Sequence, residues 1–492
     1  MKRLIYCLSI ALSVIFCTST TAQDTLLLDL PTLVNLAQSD APDVLIAQTR
    51  AKNSYWYYQS KLAEFRPAVR ITGQLPNLNR SIDIITQPNG EDLFLQRAQM
   101  RNQLGIALEQ PIPATGGRVL FGSSIQRLDI FKEASDDIVS YYTTPLSIGL
   151  IQPLFGFNTL KWNRRIEPVR YQYATRQFAE EMEEVAYKAV EHYFQVLIAQ
   201  FELEAALQDK ANADTLVRIS EDRFVVGRIS ESEILNARLQ AMNAEVAVQE
   251  ATLALQSSME RLRNFLGIKS RVAFQMSLPD ELPEASLDEQ VLVERALENR
   301  SATLSWQLRQ LESEAAIAQA KANNGLQMDI FAWFSLSKTS DEFSQAYANP
   351  LDNEVLRVGF SIPLFDWGKA RARLETAQTN RDLTLYTIEQ EAVNLEQEVR
   401  LKALQFSFLR SKALQAQQAY QVAVQREQMT RNRYLIGRDD LLALNVALQE
   451  KVLARTAYLG ALRDFWLGYY DLRRLTLYDF ERGVSLVREP PR

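Results

Sequence analysis

Cysteine is nearly absent from this sequence. Its two copies, Cys7 and Cys17, both sit where Lys2 and Arg3 precede an apolar run from Leu4 to Phe16 and small residues from Thr18 to Ala22. That order of charge, apolar run and small residues predicts a secretory signal peptide over 1–22, cleaved after Ala22. The run is too short to span a bilayer, and bulky Phe16 beside Cys17 argues against a lipoprotein site. The mature chain then has no thiol, no disulfide and no thiolate metal site. Histidine is down to one copy, His192 between Glu191 and Tyr193, which reads as a polar lining or contact residue rather than a base or ligand. Neither a P-loop nor a GxGxxG opens a helix, so nucleotide binding is not expected. No catalytic constellation, metal site or cofactor is expected. Basic residues are also short: 54 Lys and Arg face 60 Asp and Glu, and loss of Lys2 and Arg3 takes the net charge from −6 to −8. Such a balance speaks against nucleic acid as a partner. Nor is any mature stretch long and apolar enough for a transmembrane helix, so passage through a membrane would have to use β-strands.

Glycine and proline are sparse as well, 17 and 16 in 492 residues, which implies long uninterrupted elements. A shift of 210 carries Gly149, Pro153 and Phe155 onto Gly359, Pro363 and Phe365, and Arg223, Phe224, Gly227 and Arg228 onto Arg433, Tyr434, Gly437 and Arg438. A second shift of 259 carries the segment starting at Leu33 onto the one starting at Leu292, so an insertion of 49 residues lies between Pro67 and Pro153. The chain is therefore a two-fold repeat. Each half reads as a helix of about 33 residues (near 32–64 and 291–323), strands, a very long helix, and a return helix (near 231–266 and 440–473). The long helices run without Gly or Pro from Val169 to Val226 and from Lys369 to Ile436, roughly 90 to 100 Å at 1.5 Å per residue. Phe178, Met182, Val185, Ala189, Tyr193 and Val196 make one apolar seam on the first of them. Ala186, Val190, Phe194, Leu197 and Phe201 make a second. Two seams fit either a helix with neighbours on both sides or one wide core face of a bundle.

The strands choose between these. Leu356, Val358, Phe360 and Ile362 alternate with Arg357, Gly359, Ser361 and Pro363; Leu104, Ile106 and Leu108 alternate likewise, as do Leu146, Ile148 and Leu150. One apolar face per strand in a secreted chain suits a barrel with lipid outside and water inside. The connections near 79–101, 131–144 and 338–354 read as long polar loops, and the opposite turns as short or joined directly to helices. Pro111, Pro153 and Pro363 fit strand ends, where no ladder N–H is needed, and mark strand-to-helix junctions.

At this point the chain, from about Leu26 to its end, resembles the TolC-like outer-membrane efflux proteins. The likeness rests on the repeat, the junctions "QPLFGF" and "IPLFDWGKAR", and the paired words "RFVVGRISESEIL" and "RYLIGRDDLLALN". It implies an α+β membrane fold: a transmembrane antiparallel β-barrel in the outer membrane, in contact with its lipid, continued by a long periplasmic α-helical barrel of coiled-coil hairpins, with two structural repeats per protomer. It also implies a homotrimer, a periplasmic adaptor (membrane fusion) protein, and an inner-membrane pump of RND or ABC type, the chain itself being an exit duct and no enzyme. The hairpin tips that such proteins present to the adaptor correspond here to Arg223, Phe224, Gly227, Arg228, Arg433, Tyr434, Gly437 and Arg438. Asp439, Asp440 and Asn445 are the candidate gate, although Leu442 and Asn445 stand near places where some members carry aspartates.

The expected organisation is a first repeat over 23–290, with a linker at 268–290, and a second over 291–492. Strand-like segments near 68–76, 102–111, 118–130 and 145–154 in the first half outnumber those near 327–337 and 355–363 in the second. The surplus hairpin either joins the wall, giving six strands per chain and eighteen in a trimer, or folds outside a barrel of twelve. Joining is preferred, because the turn at 112–117 follows a junction like those at the periplasmic edge. The rival of another class is a secreted coiled-coil protein of the envelope, structural or adhesive and without a pore.

Overall fold

The computed structural model describes residues 25–132, 137–270, 273–279, 282–283, 288–436, 438 and 441–489. The expected signal peptide over 1–22 and the predicted Gly437, Asp439 and Asp440 lie outside the described residues.

The first half comprises β1 (Thr25–Leu28), α1 (Leu30–Asp40), α2 (Pro42–Ala63), β2 (Ala68–Gln74), β3 (Leu78–Thr86), β4 (Asp92–Ile112), β5 (Gly117–Phe131), β6 (Ile138–Pro153), α3 (Thr159–Val225) and α4 (Glu231–Leu266). The second comprises β7 (Ala273–Met276), α5 (Glu289–Asn299), α6 (Ser301–Asn324), β8 (Gln327–Ser340), β9 (Leu351–Ser361), α7 (Lys369–Leu435), α8 (Leu441–Thr476) and the short β10 (Tyr478–Asp479) and β11 (Val484–Ser485). The internal repeat is kept to the residue in its long and return helices: α3 and α7 are both 67 residues long, α4 and α8 both 36.

Two expectations need correction. The single helices expected near 32–64 and 291–323 are each broken once, at Ala41 and at Arg300, the same place in the two repeats. Ala41 is extended (φ −61°, ψ 141°) because it precedes Pro42, whose ring disfavours a helical neighbour. Arg300 is equally extended (φ −72°, ψ 148°) with no proline after it. There the Glu180 carboxylate accepts from the Ser301 N–H at 2.8 Å and from its hydroxyl at 3.0 Å, capping α6 from another element. The second correction concerns 79–101, expected as a polar loop. It is β3 and the first part of β4, closed by a tight turn at 87–91 in which the Gln87 N–H donates to Glu91 O at 2.8 Å. Asn79, Arg80 and Ser81 masked the alternation of Ile82, Ile84 and Phe94 that follows.

The chain divides into two bodies. The first draws on the described residues within 1–45, 182–285 and 405–471. Here β1 pairs in parallel with β7, and Gln200 extends the ladder from a helix: its amide donates to Phe274 O and accepts from the Met276 N–H, both at 3.0 Å. Within this body both apolar seams of α3 are buried together, with Val185, Ala186, Ala189, Val190, Tyr193, Phe194, Val196 and Leu197 all inside. The second body draws on 46–181, 286–404 and 472–492. It holds the large sheet and a core of Leu292, Ala296, Leu395 and Val399 against Trp306 and Phe480. Its C-terminal segment is fastened by the Asn299 amide donating to Thr476 O at 3.1 Å. No helix of the described residues is long and apolar enough to cross a membrane.

Candidate channel wall and helical tips

The large sheet runs β2-β4-β5-β6-β8-β9, with β3 also on β4. Because β2 and β3 lie end to end along one partner, seven strands fill six positions, all antiparallel. The inserted pair β4 and β5 thus stands inside the sheet, β5 bonded to β4 on one side and β6 on the other.

Register sorts the side chains into two faces. Val69, Leu108, Phe121, Ile148 and Phe334 follow one another across five strands, and Ile71 stands opposite Ile106. With Leu356, Val358 and Phe360 they leave large apolar groups in the open. The row on the opposite face is Ala107, Gly122, Ser147, Ser335 and Asn353, small and polar. An exposed apolar face backed by a polar one is how a barrel meets lipid outside and water within. The end strands β2, β3 and β9 each keep one edge without a partner in the sheet.

At the helix end of the sheet, β9 stops at Ser361, and Pro363 lies just past it. Trp367 and Gly368 take positive φ (57° and 84°), and the Asp366 carboxylate accepts from the Gly368 and Ala370 N–H groups at 3.1 and 2.6 Å, capping α7. Phe365 and Trp367 meet edge to face at 4.6 Å and both are exposed. In the first repeat Pro153 is the last residue of β6, and Asn158 caps α3 by accepting from the Lys161 N–H at 3.0 Å. Its amide donates to Pro113 O at 2.9 Å, holding the β4–β5 turn against this junction. Pro111 sits near the end of β4, opposite Arg118.

At the other end, the 341–350 loop lies against β6: the Thr143 hydroxyl donates to Ala346 O, and Tyr141 meets Phe343 at 5.6 Å. Beyond it, β3 from Ser81 and β4 up to Arg97 pair only with each other and overhang the wall.

The α3–α4 tip is built by Gly227 at φ +67°. The Arg228 N–H reaches Arg223 O and the Gly227 N–H reaches Phe224 O, both at 2.9 Å. Ser230 caps α4 in a reciprocal box with Glu233, whose carboxylate is held below its ordinary range by the Ser230 N–H. At the second tip the Arg438 N–H makes the matching 2.9 Å bond to Arg433 O. Tyr434 is buried with Leu216 and Leu444, and Arg223 lies 5.4 Å above its ring. Phe224, Val225, Val226, Ile436 and Leu442 are exposed, as are Arg228, Arg433 and Arg438, while Asn445 is half-buried.

Of two readings on α3, the second changes. His192 faces Phe265 at 4.8 Å, and burial lowers its pKa. The acidic run 180–184 reads in sequence alone as a solvated or lumen-facing charge run, but it is largely structural. Glu180 caps α6, Glu181 pairs with Arg50, and buried Glu183 accepts from Gln38 at 3.4 Å.

A wall of amphipathic strands continued into long helical hairpins defines an outer-membrane channel protein. The profile described as outer membrane efflux protein matches residues 33–268 and 292–476, and the chain belongs to that family. It is an exit duct for efflux in the outer membrane, reaching into the periplasm, and not an enzyme. Channels of this family are trimers that work with adaptor and inner-membrane pump partners. No curated protein matches the chain. Among solved structures, the CmeC outer membrane channel of Campylobacter jejuni is similar at TM-score 0.65 and 13% identity, covering 92% of this chain and 88% of that one. The outer-membrane channel OprN gives 0.63 and 17%, covering 92% and 90%. The outer membrane protein VceC of Vibrio cholerae gives 0.61 and 12%, covering 91% and 95%. At these identities the likeness is one of fold.

Proposed function

We propose that three copies of this chain close their sheets edge to edge into one barrel and pass outward the cargo that a periplasmic adaptor and an RND or ABC pump deliver, in efflux or in type I secretion. The observation that carries this reading is the sheet itself, which has an exposed apolar face and an unpaired edge at each end. A lone copy would leave those edges open, and a closed ring removes them. Six positions per chain give eighteen strands in a trimer. In this reading 23–290 and 291–492 are the two repeats that alternate around the ring. The exposed tip residues Phe224, Arg228, Arg433 and Arg438 meet the adaptor. Gly227 shapes the first turn, and Tyr434 serves from inside by seating Arg223. Asp439, Asp440 and Asn445 remain the gate candidates, Asn445 on the return helix. Mass measurement in mild detergent, with heat-modifiable migration and single-channel conductance, tests the assembly. A stable monomer without conductance overturns it.

A further inference from the structure

The polar face of the wall carries three side chains that a simple water-filled duct does not require. Phe331 and Trp333 stand two residues apart on β8, their rings parallel within 6° and their centroids 5.9 Å apart. Trp333 occupies the space that a Cβ at Gly149 would need, with ring atoms 2.2 Å from that position. Arg357 stands opposite Phe331 on β9 and places its guanidinium 5.7 Å from the Phe331 ring centre. Arg118, on the same face, is paired with Glu109 at 3.3 Å. Among the described residues Arg357 has no carboxylate within ion-pairing distance, and it is exposed.

Covering Gly149 explains Trp333 alone, as an aromatic laid over a bare stretch of backbone. It does not explain a second parallel ring, nor an exposed guanidinium parked beside that ring. Two ring faces with an unpaired cation at their margin match a ligand that is flat, unsaturated and negatively charged: the rings take its π-face and the guanidinium its anionic group. We propose that Phe331, Trp333 and Arg357 form a binding station for planar aromatic anions on the lumenal face of the wall, a reading that rests on this face being the inner one.

The test uses the purified full chain in detergent, titrated calorimetrically with a naphthalene disulfonate, which is too polar to enter micelles, and with an alkane disulfonate of equal charge. The aromatic probe is expected to bind and the aliphatic one not. Arg357→Gln and Phe331→Leu should each weaken binding about fivefold to tenfold, in line with the strength of a partly desolvated cation–π contact, and Arg357→Lys less than Arg357→Gln. Heat-modifiable migration verifies that the variants assemble. Equal binding of both probes, or variants that bind as the parent does, overturns the station. Single cysteines at Asn353 and Leu356, on opposite faces of β9, test the underlying wall separately. If Asn353→Cys reacts with a water-soluble maleimide and Leu356→Cys with a lipid-soluble one while no probe binds, the station is wrong and the channel stands. If the two accessibilities are reversed, the face assignment fails and the station with it.

Discussion

Gly227 shows how much a single backbone angle can decide at the tip. Its φ of +67° is one that a side chain adopts only with strain, and nothing lies within 4 Å of where a Cβ would be. A substitution there is therefore penalised by conformation and not by collision, by about 1–2 kcal/mol and more for a β-branched residue. Gly227→Val is expected to abolish efflux and to speed protease cleavage near 223–230 while leaving outer-membrane insertion intact. Loss of folded trimer to the same degree would mean that the glycine serves only the fold. Tyr193 makes a different kind of prediction. It is fully buried, its hydroxyl donates to Ser277 O, and burial pushes its pKa up to about 12. An unfolded tyrosine ionises near about 10. A raised folded value means that stability is fully present below that pH and is lost as pH climbs toward about 12. Tyr193→Phe should flatten this alkaline limb of a denaturation series and lose about 1 kcal/mol at neutral pH with the hydrogen bond. An unchanged alkaline limb would show that Tyr193 ionises at the same pH folded and unfolded, so that its burial does not raise its pKa.

At the scale of elements, much was legible because long amphipathic helices and alternating strands advertise their period. The 210-residue shift matches α3 to α7 and α4 to α8, although α3 starts at Thr159, before the Gly- and Pro-free stretch that opens at Val169, and carries Pro168 inside it. What stayed hidden was set by distant partners. Pro42 signals its own break in sequence, but the matching break at Arg300 depends on Glu180, which is remote in the chain and looks like part of a solvated charge run. Likewise, polar Asn79, Arg80 and Ser81 read as a loop because the pairing that makes them strand lies in β4. The tip words were legible as turns and caps, whereas the inward seat of Tyr434 depends on Leu216 and Leu444 around it. Glu180→Gln tests the first of these. It weakens the acceptor for the Ser301 N–H and hydroxyl and removes the charge facing Arg300 at 3.7 Å. The expected cost is about 1–2 kcal/mol, seen as a lower melting temperature and faster amide exchange in the first turn of α6. Exchange that is unchanged there would show that the break at Arg300 holds without the carboxylate.

For the whole molecule, the decisive question is what the inserted pair β4 and β5 does to the wall. A sheet that carried only β2, β6, β8 and β9 would give twelve strands in a trimer. Here β5 is hydrogen-bonded from Arg118 to Ile130 with β6 and from Gly117 to Phe131 with β4, so removing the pair would open the sheet in its middle rather than trim a loop. Phe121 continues the apolar row from Leu108 to Ile148, and Ile125 stands opposite Leu104. Single cysteines at Val119, Phe121 and Ile125 have little background, since the chain's own two cysteines, Cys7 and Cys17, both lie in the segment expected to be cleaved as a signal peptide. All three should react with a lipid-soluble reagent in intact cells and resist a water-soluble one, since their face is the one that meets lipid. Neighbouring inward positions such as Ser124 should show the opposite preference. Uniform reaction of 119, 121 and 125 with the water-soluble reagent from outside would take β4 and β5 out of the membrane wall and return the trimer to twelve strands. Alternation at all these sites would support eighteen, and with them a wider lumen than four strands per chain can enclose, because barrel diameter grows roughly in proportion to strand number.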